Sequence, residues 1–269
     1  MQVRDARQAM LEVAAADGDI ATGALWLAAE DFPGLVPEQW LERIDDLSLA
    51  LRDRCGIDGC RPSDAPLVAS LLRERLRLHC AGGGDPRSHY LHSVLERGAG
   101  IPIACAAIWI AVGTRADIPI EGVNTPGHFL VRVGDLLFDT VAGGGDPLDA
   151  DDTRSLIADA TGHAPENLAP AWLARASTRE MLARMSRNLR GCYACLEDWP
   201  LALRAADRCV DLMPDEPAER RDRGFLLWRM GHPTAALEDL RHYLAAAPAD
   251  AADRSSVSEV ASRLRAFLN

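Results

Sequence analysis

Apolar residues return every three or four positions through most of this chain, a period that predicts helices with one buried face. Residues 1–80 read as helical. Ala21–Glu30 is a first clear run, closed by Asp31-Phe32-Pro33-Gly34, where proline and glycine stop a helix. Pro37 then opens a second helix, with Trp40, Leu41, Ile44, Leu47 and Leu51 on one stripe. A third, Ala65–His79, carries Leu67, Leu71, Leu72, Leu76 and Leu78, and leaves Arg73, Arg75 and Arg77 for a solvated face. Ala81–Pro86 is a loop by composition, Ser88–Arg97 is a short helix, and Gly98-Ala99-Gly100 breaks it.

After Gly100 the pattern changes. Pro102 suits the first position of a helix that runs to about Arg115. That helix is apolar nearly all round, so it is expected inside the protein. Ile118–Val123 is a β-type run, followed by the turn Asn124-Thr125-Pro126-Gly127. His128–Val133 alternates, Gly134-Asp135 makes a tight hairpin, and Leu136–Thr140 returns. These runs predict an α+β fold in which one helix packs across a small antiparallel sheet. Ala142–Pro147 is a glycine-rich loop, and residues 148–177 read as short helices and turns.

From about Arg179 the chain is purely helical and repeats itself. A shift of 34 residues carries Ala202 onto Ala236, Leu203 onto Leu237 and Pro214 onto Pro248. Tyr193 lands on Leu227, and Gly224 takes the small-residue position of the second unit. This resembles the tetratricopeptide repeat, here two units with Ser256–Leu268 as a capping helix. Two units are too few for a free-standing solenoid, so they are expected to pack on the first domain. The expected division is 1–177 and 178–269, the second part all-α.

Composition narrows the function. The formal charge is −11, from 40 acidic and 29 basic residues. Phosphate-tracking surfaces and anionic-membrane anchors need clustered positive charge, so no nucleic-acid or membrane partner is expected. No apolar run reaches the ~20 residues that span a bilayer. The N-terminal stretch Met1–Arg7 is polar and has no secretory core. Seven scattered cysteines suit a reducing compartment better than a disulfide framework, so a cytoplasmic location is expected.

One constellation carries chemistry. Cys105 stands in the first turns of the buried helix, His128 begins one strand, and Asp139 ends the next. Thiol, base and orienting carboxylate in that order are the parts of a cysteine nucleophile. A thiol near a helix N-terminus is helped toward thiolate by the dipole and by a neighbouring imidazole. The competing reading makes Cys105 a small apolar side chain in a packed core. His128 likewise serves either as the base or as a structural partner of Asp139.

Other candidates reduce to structure. His89 and His92 share a helix face and could join His128 around Zn²⁺, but no paired ligand motif supports a metal. Cys192-Tyr193-Ala194-Cys195 lies inside a repeat helix and reads as packing. Asp146, Asp149, Asp151 and Asp152 follow Gly143-Gly144-Gly145 without the spacing of a calcium loop. No Gly-Lys-Ser/Thr phosphate cradle precedes a helix, and no cofactor is expected.

Several segments together resemble the SirB-like bacterial family: Leu27–Pro33, Asp85-Pro86-Arg87 with Tyr90-Leu91 and Val94–Arg97, Gly100-Ile101-Pro102-Ile103, and Glu121–Asn124 with Pro126–Leu130. The likeness covers roughly residues 15–250. It implies a transglutaminase-like, papain-like domain followed by tetratricopeptide repeats. By motif, His128 and Asp139 fall on the histidine and aspartate that active members of the wider superfamily use. The SirB-like pattern reads Gly-Ile-Pro-Ile-Ser, whereas Ala104 holds the serine position here and Cys105 comes one residue later. One residue turns a side chain about 100° around a helix. His92 also stands where that pattern has asparagine.

The expectation is therefore a transglutaminase-like domain without efficient catalysis, joined to repeats that bind a protein or peptide. The alternative is a cysteine-dependent amide hydrolase or acyl transferase using Cys105, His128 and Asp139.

Overall fold

The structure is a computed structural model that describes residues 3–140, 145–163 and 165–268. It comprises two compact units, residues 1–185 and 186–269.

In the first unit the helices come early. α1 (Val3–Ala15), α2 (Ile20–Asp31), α3 (Pro37–Cys55) and α4 (Ala65–Leu76) follow the apolar stripes, with Leu25, Leu27, Ile44, Leu51, Leu71 and Leu72 fully buried. Asp19 caps α2 by accepting from the Thr22 N–H at 2.8 Å. Glu30, 1% exposed, is held by the Arg7 guanidinium, whose Nε lies 2.9 Å away, so a charge on a buried face has its partner.

The third helix ends earlier than its apolar stripe suggests. Arg77 takes a left-handed φ of 55°, closing α4 at Leu76, and the next residues form a strand instead. β1 (His79–Cys80) pairs in parallel with β2 (Ala99–Gly100), where the sequence reading had a helix end and a simple break. The pairing joins positions far apart along the chain, so no local period reports it. Between these strands lies α5 (Leu91–Arg97), which stops at Gly98.

α6 (Pro102–Arg115) is the central helix, buried from Ile103 to Gly113 except at Ile110. The antiparallel sheet follows: β3 (Glu121–Val123), β4 (Leu130–Val133) and β5 (Leu136–Phe138) in that order, with Val131 opposite both Gly122 and Phe138. The strands are shorter than the sequence runs, and both His128 and Asp139 fall just outside them. The resulting α+β unit, with its small sheet, matches the expected fold class. Of the glycine-rich loop Ala142–Pro147, residues 141–144 lie outside the described residues.

Residues 150–161 gather into one helix, α7 (Ala150–Thr161). Its start explains the acidic run: Asp149 Oδ1 accepts from the Asp151 and Asp152 N–H groups at 2.7 and 2.8 Å, and Asp152 returns a bond to the Asp149 N–H. The aspartates form a capping box. α8 (Thr178–Cys195) begins within the first unit, where Thr178 donates its N–H to Asp17 at 2.7 Å.

The second unit is all helical. The last turns of α8 lead to α9 (Trp199–Leu212), α10 (Pro217–Arg229), α11 (Pro233–Ala246) and α12 (Arg254–Leu268). The matched residues Ala202 and Ala236 are both 0% exposed, as a shared packing position requires. Ala236, Leu237, Leu240 and Tyr243 of α11 pack with Val257, Ala261 and Leu264 of α12. Cys192 is buried as the packing reading has it, but Cys195, at the end of α8, is exposed. The final residue of a helix has no further turn to cover it.

Candidate functional site

The site begins where the chain turns into β4. Thr125, 1% exposed, accepts from the His128 N–H at 3.3 Å and donates its hydroxyl to the His128 carbonyl at 2.9 Å. Arg184 donates to the Thr125 carbonyl at 3.1 Å and lies over the Phe129 ring, clamping the same turn from α8. His128 is thus set by its backbone neighbours rather than by strand pairing.

Asp139 follows directly on the end of β5. Its neighbour Thr140 reaches the Pro102 carbonyl at 3.4 Å, so the end of β5 is tied to the first turn of α6. His128 Nε2 and Asp139 Oδ2 stand 3.2 Å apart, with side-chain exposures of 15% and 3%. The approach falls off the line of a directed N–H···O bond, since Nε2 completes no hydrogen bond. The contact is an ion pair when the imidazole is protonated.

Cys105 is the fourth residue of α6, and its N–H already enters the helix ladder through the Ile101 carbonyl at 3.1 Å. The side chain is 0% exposed. Its thiol points to the His79 carbonyl at 4.0 Å, the outer limit for a sulfur donor. No hydrogen bond joins it to His128. Burial pushes the thiol well above its ordinary pKa, and the charges of Cys80 and Asp139 push it further. The structure therefore brings His128 and Asp139 together and buries Cys105 within α6, its thiol toward the His79 carbonyl.

A second thiol, Cys80, was not singled out by sequence. It lies on β1 opposite Gly100, the residue whose α-carbon backs onto Cys105 Sγ, and it is exposed. Partial covering of its sulfur raises the Cys80 thiol, and the Asp139 carboxylate raises it again, so this thiol too feels the site. Its only sequence signal is a cysteine at the edge of a glycine-rich loop. The β1–β2 pairing that brings it close is invisible locally.

His89 and His92 take structural places, and they do not share a helix face as the sequence suggests, because His89 closes the turn Pro86–Ser88 and α5 starts only at Leu91. His89 is 3% exposed, with Nε2 2.9 Å from the Gly83 carbonyl and Nδ1 buried without a partner. His92 packs edge-on to Phe32 and Trp40 at 4.9 and 5.7 Å between ring centroids. Burial lowers the pKa of both rings. Among the described residues, no group of three His, Cys, Asp or Glu side chains could hold a metal ion.

A cavity of about 370 Å³ opens elsewhere in the first unit, between Ile20, Ile110, Ile120, Met181, Asp17 and Arg175. None of Cys105, His128 and Asp139 lines it.

This framework agrees with comparison to known proteins. A model of the transglutaminase-like superfamily matches residues 38–187, more than half of the chain. The chain belongs to the transglutaminase-like superfamily. A tetratricopeptide repeat model matches residues 189–265, completing the SirB-like order of domain and repeats. A UPF0162 protein of Pseudomonas aeruginosa is 34% identical over 247 residues, covering 89% of each chain. A UPF0162 protein of Xylella fastidiosa is 43% identical over 166 residues, and that match spans 60% of this chain and 59% of the relative's length. Among solved structures, menin aligns over 90% of this chain and 69% of its own, at 12% identity and a TM-score of 0.49.

Proposed function

We propose that the transglutaminase-like domain is a scaffold without efficient acyl-transfer chemistry, and that the repeats bind a protein or peptide partner. The observation that carries the reading is the burial of Cys105. A nucleophile must reach its substrate as thiolate, and a 0%-exposed thiol with a raised pKa does neither. The repeat unit offers a different surface. Trp228 is 41% exposed on α10, a residue type enriched among the anchors of binding interfaces, and the apolar Leu196 is 54% exposed after α8. A cytoplasmic setting belongs to this reading, supported by the free thiols Cys80, Cys105, Cys192, Cys195 and Cys209. Among the described residues no helix is long and apolar enough to cross a membrane.

A second reading keeps the alternative open at one point. The 3.2 Å approach of His128 to Asp139 is the base-and-orienter half of a cysteine nucleophile. In that reading Cys105 attacks an amide carbonyl, His128 moves the proton, and Asp139 holds the ring.

Iodoacetamide labelling of native protein with peptide mapping, at about pH 6 to 7, separates the two. Under the scaffold reading Cys105 stays unlabelled until the protein is denatured. Selective labelling of Cys105 that His128→Ala abolishes would establish the activated thiolate and overturn it. The binding half is tested by photo-crosslinking at Trp228 in cells, with mapping of any crosslinked peptide. A partner lost on Trp228→Ala supports it, and an uncrosslinked surface counts against it.

A further inference from the structure

The turn between α3 and α4 holds two cysteines that the site does not use. Cys55 ends α3, Cys60 follows five residues later, and a disulfide joins them. Gly56 and Gly59 take φ values of 79° and 76°, a left-handed backbone open chiefly to glycine, and this lets the chain double back on itself. Scattered cysteines suit a reducing compartment better than a disulfide framework, yet one close pair is bonded here, because spacing alone does not show that two such glycines fold the segment into a ring.

The ring is open to solvent. Residues 56–59 are exposed, Ile57 wholly so, and both cysteines are only partly covered. A disulfide closing so short a loop restricts the unfolded chain less than one closing a long loop, so the fold depends little on it. The rest of α3 is anchored without it. Arg54 pairs with Glu74 of α4 at 2.6 Å, Arg52 pairs with Asp117 at 2.9 Å, and Ile44 and Leu51 are buried. Opening the ring therefore loosens the turn and leaves the helix in place.

We propose that Cys55 and Cys60 form a reversible thiol–disulfide exchange site, reduced by small monothiols of the glutathione class and oxidised by their disulfides. In reduction a thiolate R–S⁻ attacks Cys55 Sγ, the Cys55–Cys60 bond breaks, and its electron pair leaves on Cys60 as thiolate. A second R–S⁻ attacks the R sulfur of the mixed disulfide, forming R–S–S–R and releasing Cys55 as thiolate. Two thiols are oxidised as one protein disulfide is reduced, and the thiolates take up protons from solvent according to pH. The direction of attack follows from position. Cys55 sits at the negative end of the α3 dipole, which disfavours a thiolate there. Cys60 lies beyond it, next to Arg61, and is the better leaving group.

The test equilibrates the full chain in glutathione buffers from fully reduced to fully oxidised. Samples are acid-quenched, alkylated and mapped by mass spectrometry, and hydrogen exchange is measured at both ends of the series. The Cys55→Ser/Cys60→Ser double variant supplies a permanently open form. The expected result is interconversion of the pair in folded protein, with faster exchange confined to residues 52–62 in the open state and in the double variant. A disulfide that resists reduced glutathione until denaturation would be a static staple and would overturn the proposal. So would a pair that remains two thiols, or only mixed disulfides, in oxidised glutathione.

Discussion

Gly100 stands against Cys105 so closely that a Cβ added to it would lie 3.0 Å from Cys105 Sγ and 2.7 Å from Val94 Cγ1. Gly100 does not have a left-handed backbone, so the position requires room rather than conformational freedom. The Gly-Ile-Pro-Ile segment thus lets β2 approach the first turn of α6, and Cys105 fills the gap.

Gly100→Ala should therefore overpack this junction. Both neighbours are packed on all sides: Val94 is 0% exposed inside α5, and Cys105 is 0% exposed inside α6. We expect a loss of about 1–3 kcal/mol, read as a lower urea midpoint at unchanged slope. An unchanged midpoint would mean that α5 and α6 can part without cost.

Cys80, paired with Gly100 across β1 and β2, tests the electrostatics beside the same junction. The Asp139 charge raises its thiol after burial does, so Asp139→Asn should lower that pKa and speed alkylation of Cys80 at fixed pH near 8. The gain follows the fall in that pKa, a full unit being tenfold in thiolate. The rate is followed on the Cys80 peptide, with exposed Cys195 as the internal reference. Equal rates in wild type and variant would remove Asp139 as a cause.

What the sequence disclosed here was local. The stripes through Ile44, Leu51, Leu71 and Leu72 marked their helices, and the all-apolar run after Pro102 marked the buried one. The alternating runs on either side of Gly134 marked the hairpin, and the 34-residue period marked the repeats. Three things were not legible. Arg77 ends α4 because the chain is drawn into β1, paired with Ala99 and Gly100 far along the sequence. Cys80 joins the site through that same pairing. The facing of Cys105 depends on how α6 is rotated against β2, which no period specifies. For the same reason the apolar pattern was compatible with both readings of this cysteine.

Acid should weaken the first unit in a defined window. Burial lowers the pKa of His89 and His92 below the 6.5 of a free imidazole. The unfolded chain then binds protons that the folded chain refuses. Their contribution is fully present above 6.5 and is lost as pH falls through the lowered folded values. Asp85 does not confound this range. The Arg87 side chain beside it holds its carboxyl at about 2, so its contribution is lost only below its ordinary 3.8. Urea midpoints measured between about pH 7.5 and 5 should fall. His92→Phe, which keeps a ring against Phe32 and Trp40, should flatten the decline.

In the repeat unit the decisive charge is Glu219, 3% exposed on α10. It takes the Nε of Arg187 on one oxygen and Arg190 Nη1 on the other at 2.7 Å, while Arg190 also reaches Asp222 at 2.6 Å. Removing the carboxylate takes an acceptor from two mostly covered guanidinium groups, of which Arg190 keeps Asp222. Breaking a buried pair from one side costs about 3–5 kcal/mol. The arginine side chains are 34% and 17% exposed, so water recovers part of this and the lower end is expected for Glu219→Ala. Glu219→Gln, which keeps one acceptor oxygen, should lose less. The contrast is Glu259, paired with Arg263 at side-chain exposures of 64% and 67%, where Glu259→Ala should change stability by less than about 1 kcal/mol. Urea melts of the three variants, repeated at high salt, decide the matter. The exposed pair should fade with salt and the Glu219 effect should persist, because screening acts on charges that solvent reaches.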